Sequence, residues 1–390
     1  MWEQLGRGAV ELLSAATNFM MMLVKDEGAL PYWMKLTAGG LSLVAALFSA
    51  YYWGRRVFQE KVQKVLVDPE SFWSKSASVA ERSSYANRAA SSLLVIALAN
   101  YKGGVGKSMI AANLAAYFDK VGFRVLLIDF DYQGSLTDIV PYKNPSNLTF
   151  SAHSVLEGEL HPTRPEELGQ SFRGSSIHPA ESELSSIDSK LMFQFLTGSL
   201  ADDVRFNTSR YVGSSFVKEN YDIVVIDTPP RICTATANAL CAATHVLMPT
   251  ILDTVSSRAV FRSGEMFLSF RDKLGLSFKI FGVVPSKVEA ATGYNNRESQ
   301  ALHFLDEELH YKYRDRVNLA TRKTEPVYVR DDLPIMHKVG LLHIEGDDMI
   351  IFKANPTPSE AVIQKMFAKL GDAVLEDAGL MKNDNAEQAA

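Results

Sequence analysis

The feature that most constrains the fold is the stretch 93–108, LLVIALANYKGGVGKS, in which an apolar run leads into a glycine-rich turn. The aliphatic residues Leu93 to Leu98 predict a buried strand of a parallel sheet. Met109 to Phe118 is apolar and rich in helix formers, which predicts a helix after the turn. Strand, glycine loop and helix in this order are typical of a phosphate-binding loop, because loop N–H groups and the positive end of the helix dipole surround phosphate oxygens.

The side chains of this loop suggest how a nucleotide is held. Lys107 is predicted to reach the β- and γ-phosphates, and the Ser108 hydroxyl is predicted to bind Mg²⁺. The residues predicted to surround the phosphates are Gly103, Gly104, Val105, Gly106, Lys107, Ser108 and Met109.

Carboxylates follow two further apolar runs. Phe123 to Asp129 predicts a second buried strand, and Asp131 comes two residues after its end. Tyr221 to Asp227 predicts another strand, which ends in Asp227 and is followed by Thr228-Pro229-Pro230. Carboxylates at this edge can position water or hold Mg²⁺, so the predicted metal ligands are Ser108, Asp129 and Asp227. The segment after Asp227 is predicted to be a γ-phosphate-sensing switch.

The remaining apolar runs complete a predicted α/β fold. His245 to Pro249 and Ile280 to Pro285 predict two more strands, and Ala239 to Ala243 predicts a helix between strands. Strands that alternate with helices indicate a doubly wound, mostly parallel sheet with phosphate at the carboxyl ends of its strands. A hairpin over Leu341 to Pro356 and a helix over Ser359 to Ala378 are predicted to close the domain.

Three motifs resemble those of the ParA/MinD family of deviant Walker A ATPases: KGGVGKS with its extra Lys102, DFDYQGS, and YDIVVIDTPP. The resemblance covers about residues 93–340 and implies ATP and Mg²⁺ as cofactors. It implies that Lys102 reaches the partner's phosphates in an ATP-dependent homodimer, and that Asp131 orients the attacking water while Asp129 supports the site. Tyr132 departs from the pattern, which usually has proline at that position.

The resemblance also implies a mechanism and partners. Lys102, Asp131 and Lys107 are the implied catalytic residues of a slow ATPase, because the site neutralises charge but offers no strong base. Hydrolysis is expected to release the switch and the dimer, with stimulation by an unidentified activating or cargo protein. The expected role is positioning, partition or recruitment of a partner complex.

The N-terminal region differs from the rest of the chain. Residues 36–54 carry no charge and have about the length of a membrane-spanning helix. Aromatic residues flank them, and the basic residues that follow favour a single-pass anchor with the ATPase on the cytoplasmic face of the inner membrane. A buried N-terminal helix is the alternative, and the protein is then cytoplasmic. The apolar segment Ala9 to Val24 fits three interpretations equally: an interfacial amphipathic helix, the first arm of a hairpin, or a helix that contacts another protein.

Four regions are predicted along the chain: a helical membrane-anchoring region at 1–65, a serine-rich linker at 66–92, the ATPase domain at 93–378 and a disordered tail at 379–390. The linker is predicted to hold a short helix around Val79 to Ala90. Between residues 140 and 220 the pattern is weak, with a faint helix at Ser154 to Gly158 and a faint strand near Ile177.

Charge and cysteine content limit the alternatives. The net charge of −5 gives no overall nucleic-acid signature, so non-specific DNA binding would need a local patch. The basic stretch 309–330 is either such a patch or a solvated face. Cys233 and Cys241 lie eight apart on one predicted helical stretch, so they favour small core residues over a disulfide, metal or iron–sulfur site.

Two other functions account for parts of the sequence. A soluble DNA-partition ATPase whose first 90 residues form an adaptor or DNA-contact module is the runner-up, although that region is apolar rather than basic. A membrane-anchored bacterial tyrosine kinase is disfavoured, since such proteins carry a C-terminal tyrosine cluster and no tyrosine follows Tyr328.

Overall fold

The computed structural model describes residues 31–68, 72–78, 81–85, 93–149, 151–159, 163–197, 202–289, 293–336 and 349–380, together with Ser14, Asn18 and Met21. The chain divides into two compact units. The first comprises Met1–Phe72 and Phe193–Asp202, and the second comprises Trp73–Met192 and Asp203–Ala390. The predicted domain limits at residues 65, 92 and 378 stay predictions.

The first unit is built on one long helix, α1 (Tyr32–Val67), which has 36 residues. It contains the predicted membrane span at 36–54, but no helix among the described residues is apolar enough over a sufficient length to cross a bilayer. The predicted spanning helix is therefore not supported. The physical reason lies in its composition, because Thr37, two glycines and two serines dilute the apolar residues. The segment Ala9 to Val24 lies outside the described residues apart from three isolated positions.

Helix α1 exposes large apolar side chains between residues 41 and 53, among them Leu41, Val44, Phe48 and Tyr51. Further along, the Phe58 ring lies edge-on to Phe193, with 6.1 Å between ring centroids, inside the same unit. The stretch 41–53 therefore has an apolar face that the described residues do not cover.

The second unit contains an eight-stranded sheet among the described residues, in the order β3-β4-β2-β5-β1-β6-β7-β8. Neighbouring strands are parallel except β3 and β4, which are antiparallel. The strands are β1 (Leu94–Leu98), β2 (Val125–Asp129), β3 (Glu166–Glu167), β4 (Ser176–His178), β5 (Ile223–Asp227), β6 (His245–Ile251), β7 (Lys279–Val288) and β8 (Ile335–Met336).

Helices cover this sheet. In chain order the described α-helices of the second unit are α2 (Lys107–Lys120), α3 (Ser135–Ile139), α4 (Ala152–Glu157), α5 (Leu184–Thr197, whose last turn groups with the first unit), α6 (Asn207–Val212), α7 (Ser215–Asn220), α8 (Thr234–Ala242), α9 (Thr254–Leu274), α10 (Asn296–Tyr313) and α11 (Pro358–Asp377). Single 3-10 turns occur at Pro145–Asn147, Val204–Phe206 and Ile350–Phe352.

The central strands are buried on both faces, which is why their sequences are continuous apolar runs. Alternate residues of β1, Leu94, Ile96 and Leu98, join a core with α2 and α11, as the two-residue period of a strand requires. Helices α2 and α11 approach each other closely at Gly371, where an added Cβ would lie 2.2 Å from the Tyr117 ring. Only glycine fits this crossing.

The topology brings three strand ends to one edge. In register, Leu98 of β1 lies opposite Asp227 of β5, and Asp227 lies opposite Asp129 of β2. The loop after β1 leads through α2 to β2, which lies two positions away because β5 is inserted between them. The phosphate loop and both predicted acidic positions therefore meet at the carboxyl edge of the sheet.

The predicted strands and the C-terminal helix are found with small shifts in their ends, and the predicted fold class is confirmed. The helix at Ala239 is longer than predicted, since α8 begins at Thr234. Of the predicted hairpin, residues 341–348 lie outside the described residues, and the described part holds the 3-10 turn Ile350–Phe352 instead of a strand.

Of the predicted linker, residues 73–78 and 81–85 belong to the second unit and pack within it. Trp73 and Tyr85 are buried, and residues 81–85 are helical. The buried Arg205 guanidinium donates hydrogen bonds to the carbonyls of Trp73 (2.7 Å) and Lys75 (2.5 Å). Tyr85 exchanges a hydrogen bond of 3.1 Å with the Ser277 hydroxyl. This segment is thus a docked strap, defined here as residues 73–78 and 81–85.

Candidate functional site

The loop between β1 and α2 has the conformation of a phosphate cradle. Gly104 and Gly106 have φ values of 72° and 86°, in the left-handed region that glycine adopts freely. Helix α2 begins at Lys107, and no side chain caps its N-terminus. The N–H groups of its first turn are therefore available to an anion, which the helix dipole also favours.

The loop's own Asn100 and two serines from other elements hold this loop. The Asn100 amide donates to the carbonyl of Pro249 on β6 (2.7 Å) and accepts from the Lys102 N–H (3.0 Å). The Ser263 hydroxyl on α9 accepts from the Tyr101 N–H (3.1 Å), and Ser286 on β7 donates to the Val105 carbonyl (2.7 Å). These contacts fix the loop before any ligand arrives. Sequence reasoning missed all three of these residues: Asn100 and Ser286 are polar residues at or near strand ends, whereas Ser263 lies within α9 and gave no signal.

Asp227 and Lys107 form the charged centre of the site. Asp227 is fully buried, and neither carboxylate oxygen accepts a hydrogen bond of normal geometry from the described residues. Burial raises the pKa of Asp227 to about 7, against the lowering effects of the nearby Ser108 hydroxyl and the Lys107 ammonium. Burial lowers the pKa of Lys107, whereas the charges of Asp227 and Asp131 raise it.

A buried carboxylate without hydrogen bonds is costly unless a cation or donor satisfies it. The Asp227 carboxylate lies near the Ser108 hydroxyl, and these are oxygen ligands of the kind that Mg²⁺ takes. The uncapped N-terminus of α2 beside them suits phosphate oxygens. The residues present therefore fit a metal–phosphate ligand.

Asp129 has a different environment. Its Oδ2 accepts hydrogen bonds from the N–H (2.9 Å) and hydroxyl (2.7 Å) of Thr137, and its Oδ1 accepts from the Asp131 N–H (3.0 Å). Burial and, next, the charge of Asp227 raise the pKa of Asp129. The Asp129 carboxylate is therefore engaged in shaping the turn from β2 into α3. Of the two predicted acidic metal ligands, Asp227 is the one whose oxygens are unengaged by the described residues.

Asp131 lies beside the phosphate loop. It is 8% exposed, its Oδ1 accepts a hydrogen bond from the Gln133 N–H (3.1 Å), and its charge acts on Lys107. This location is compatible with the predicted role of orienting a water, which stays a prediction.

Lys102, the extra lysine of the loop, is half-buried on the side of α9. Asp253 caps that helix by accepting from the N–H groups of Val255 and Ser256, both at 2.8 Å. Burial opposes ionisation of Asp253, but hydrogen bonds from Ser256 and Val255 and the charge of Lys102 lower its pKa overall. In the single chain Lys102 thus lies near an intramolecular carboxylate, and its predicted reach across a dimer stays a prediction.

The switch segment joins the site through backbone and side-chain contacts. The Thr228 hydroxyl donates to the Leu98 carbonyl (2.7 Å), so the segment starts against the strand that enters the phosphate loop. A Cβ on Gly103 would lie 3.8 Å from the Pro230 ring, in ordinary van der Waals contact. The structure therefore brings the predicted switch onto the phosphate loop.

The basic stretch 309–330 is largely neutralised by ion pairs. Lys312 pairs with Glu265, and Arg316 pairs with Asp272. Arg330 pairs with Asp332 at 3.1 Å. These pairs favour the solvated-face interpretation over a surface reserved for DNA phosphates.

Cys233 and Cys241 are both buried and form no disulfide in the described part of the chain, and the buried location agrees with their interpretation as core residues. The described part of the chain contains no group of three or more histidine, cysteine or acidic residues placed to hold a metal ion.

A mostly parallel eight-stranded sheet with a glycine loop after its central strand defines a P-loop NTPase fold of the ParA type. A family model described as an AAA domain matches residues 93–275, somewhat less than half of the chain. The chain is 34% identical over 155 residues to the chromosome-partitioning ATPase Soj of Thermus thermophilus, which covers 40% of this chain and 53% of that protein. It spans about half the length of the curated relatives it matches.

Solved structures agree on the fold. An ATP complex of a McdA variant from Cyanothece covers 75% of this chain and 98% of its own, with a TM-score of 0.52 and 17% identity. The structure of pNOB8 ParA covers 74% of this chain and 99% of its own, with a TM-score of 0.51 and 20% identity. At these identities the likeness concerns the fold alone.

Proposed function

We propose that this chain is a ParA-type switch ATPase that binds ATP with Mg²⁺, hydrolyses it slowly and dimerises in the ATP-bound state. One observation carries the proposal: the buried, unpartnered Asp227 carboxylate stands beside Lys107 and Ser108 at an uncapped helix N-terminus. A buried carboxylate is tolerated in a protein core when a bound cation or hydrogen-bond donor satisfies its oxygens.

Each group has a defined task in this proposal. The first-turn N–H groups of α2 bind phosphate oxygens, and the Lys107 ammonium neutralises charge on the β- and γ-phosphates. Ser108 and Asp227 hold Mg²⁺, which when bound supplies further charge neutralisation on the phosphates. Asp129 holds the turn that carries Asp131, and Asp131 orients the attacking water.

The proposed turnover is slow because the site positions the nucleotide and neutralises its charge but offers no strong base. The Asp131 carboxylate lies near the Lys107 ammonium, where it can orient a water beside the phosphates. Hydrolysis would remove the γ-phosphate that holds the segment Thr228–Pro230 and so change the dimer.

The dimer is proposed to use Lys102. Its ammonium lies near the Asp253 carboxylate in the single chain. If Lys102 reaches across the dimer, its ammonium leaves this single negative charge for the more highly charged phosphates of the partner's nucleotide.

The biological role follows from relatives only as a proposal. The name of the Thermus protein, a chromosome-partitioning ATPase, supports a role in positioning or partition of a cargo. DNA binding by the alternative partition ATPase stays a prediction, as do an activating partner and the location at the cytoplasmic face of the membrane. Carbonate extraction of membranes from cells expressing the full chain tests the location.

The test of the proposed activity is phosphate release from ATP by the purified full chain with Mg²⁺, with sedimentation in ATP and in ADP alongside. We expect slow release and a larger particle in ATP than in ADP. Asp227→Asn should abolish both, whereas the exposed Arg297→Gln on α10 is the matched control and should behave as wild type. An inert wild-type chain that also fails to bind ATP would overturn the proposal.

A further inference from the structure

Arg231 follows the switch segment immediately and has a fixed backbone. Its N–H donates to the Pro229 carbonyl (2.9 Å), and its own carbonyl accepts from the Thr236 hydroxyl (2.6 Å). The preceding residue, Pro230, lies close to Gly103 in the phosphate loop, since a Cβ added to Gly103 would be 3.8 Å from its ring. Arg231 therefore leaves the backbone at the corner where switch and phosphate loop meet.

The Arg231 side chain lies between two groups from separate segments. Its guanidinium carbon is 5.4 Å from the centroid of the Tyr132 ring, and its Nη2 is 3.3 Å from Asp188 Oδ2. The Arg231 side chain is 48% exposed, whereas the Asp188 side chain is only 7% exposed. A cation over an aromatic face is attracted by the ring's electrons, and the carboxylate sets the direction of approach.

Asp188 gives this contact a rigid base. Its Oδ1 accepts from the Ala235 N–H (3.0 Å) in the first turn of α8, and its carbonyl accepts from the Thr234 hydroxyl (3.0 Å). The carboxylate thus connects α5, α8 and Arg231. The guanidinium has little freedom to leave Tyr132 while these bonds persist.

Tyr132 lies in the turn that carries Asp131. That turn is closed by the Gly134 N–H, which donates to the Asp131 carbonyl (2.8 Å), and by the Gln133 N–H, which donates to Asp131 Oδ1 (3.1 Å). A tyrosine leaves φ free where the proline of the resembled pattern would fix it. An external contact on the ring can supply the missing restraint.

We propose that Tyr132 and Arg231 form a latch that ties the turn carrying Asp131 to the end of the switch segment. Both are positioning residues, and they act through Asp131 without touching the phosphates. The proposal rests on the ATPase function proposed above. Movement of the switch would pull on the latch, so that Asp131 is correctly placed only in one switch state.

The latch is tested in the full chain with Tyr132→Leu, Arg231→Gln and the double variant, and with Tyr132→Phe and Arg297→Gln as controls. Two readouts are combined: hydrogen exchange of the Gln133 and Gly134 amides, which needs no hydrolysis, and kcat and KM for ATP. Loss of one cation–π contact should speed exchange and lower kcat by about 2- to 5-fold, with KM changed by less than about 2-fold. Tyr132→Phe keeps the ring and should match wild type, as should Arg297→Gln.

The double variant decides whether the two residues act together. If they form one latch, the double variant should have the same kcat and the same amide exchange rates as either single variant. Additive losses, unchanged exchange at Gln133 and Gly134, or equal effects of Tyr132→Phe and Tyr132→Leu would overturn the latch. A wild-type chain that hydrolyses no ATP would overturn the proposed function, while the exchange data would still decide whether the latch exists.

Discussion

The Thr228 hydroxyl donates a 2.7 Å hydrogen bond to the Leu98 carbonyl, and both residues are fully buried. Leu98 is the last residue of β1 and Thr228 the first after β5, and the two strands are paired. The strand that enters the phosphate loop and the segment that leaves Asp227 are thereby joined at a single point. A change at the phosphates can reach the switch without a long path.

Replacing Thr228 by valine should weaken this connection. The variant keeps the side-chain shape but leaves a buried carbonyl unsatisfied, which costs about 1–3 kcal/mol of unfolding free energy. Urea denaturation measures the loss, and Thr228→Ser, which keeps the hydroxyl, should lose less. Equal stability of wild type and Thr228→Val would show that the hydrogen bond contributes nothing net.

Asp227→Asn should stabilise the ligand-free protein at high pH. The folded-state pKa, about 7, exceeds the ordinary aspartate value, so the folded chain binds more protons than the unfolded chain between about pH 4 and 7. The contribution of Asp227 to the free energy of unfolding of the wild type therefore falls as pH rises through that window. The asparagine variant should exceed wild type by about 1–3 kcal/mol at pH 8 and by little at pH 5, as thermal unfolding at the two values measures. A variant less stable than wild type at pH 8 would contradict this account.

His178 should give the opposite pH dependence. It is fully buried between the Ser151 hydroxyl (2.8 Å from Nδ1) and the Tyr211 hydroxyl (2.7 Å from Nε2), and burial lowers its pKa to about 3. Below the unfolded pKa of about 6.5 the unfolded chain binds the extra proton, so stability is lost as pH falls. The loss from this group between pH 7 and 5 is about 2 kcal/mol.

Denaturation of His178→Gln over the same range checks this assignment. An amide does not titrate there, so the variant should lack that part of the loss and have a flatter profile than wild type. Parallel profiles of the two proteins would mean that His178 is not the titrating group.

The attachment of the strap to the sheet domain should depend on Arg205. Its guanidinium is buried, pairs with Asp203 (2.5 Å) and holds the carbonyls of Trp73 and Lys75. Arg205→Gln leaves a carboxylate and two carbonyls short of donors and should cost about 3 kcal/mol. The exposed pair Lys190–Glu157 (2.7 Å) offers a control, since Lys190→Gln should cost less than about 1 kcal/mol.

Limited proteolysis distinguishes release of the strap from a general loss of stability. In Arg205→Gln, cleavage within residues 73–85 should precede cleavage of the sheet domain. Simultaneous digestion of both would contradict a local anchoring role.

Much of the site was predictable from local sequence. The strands that end at Leu98, Asp129 and Asp227 are continuous apolar runs, and a parallel sheet brings their carboxyl ends to one edge. The glycine loop was evident from its flanking strand and helix. These features need only neighbouring residues and the topology rules of an α/β sheet.

Other features depend on tertiary contacts that spacing does not reveal. Asn100, Ser263 and Ser286 lie far apart in sequence but all hold the phosphate loop. Asp129 was predicted as a metal ligand, yet the Thr137 hydrogen bonds engage its carboxylate in the turn. The membrane span was inferred from charge-free length with flanking aromatic and basic residues, and these features outweighed the glycines and polar residues that favoured a buried helix.

The measurement that tests the central claim most directly is calorimetric binding of ATP with Mg²⁺ to wild type, Lys107→Ala and Lys102→Ala. The account predicts that wild type binds ATP, that Lys107→Ala loses binding, and that Lys102→Ala keeps binding while it loses dimerisation and turnover. No binding by wild type would contradict the phosphate-site assignment. Equal loss of ATP affinity in both variants would contradict the separate role of Lys102.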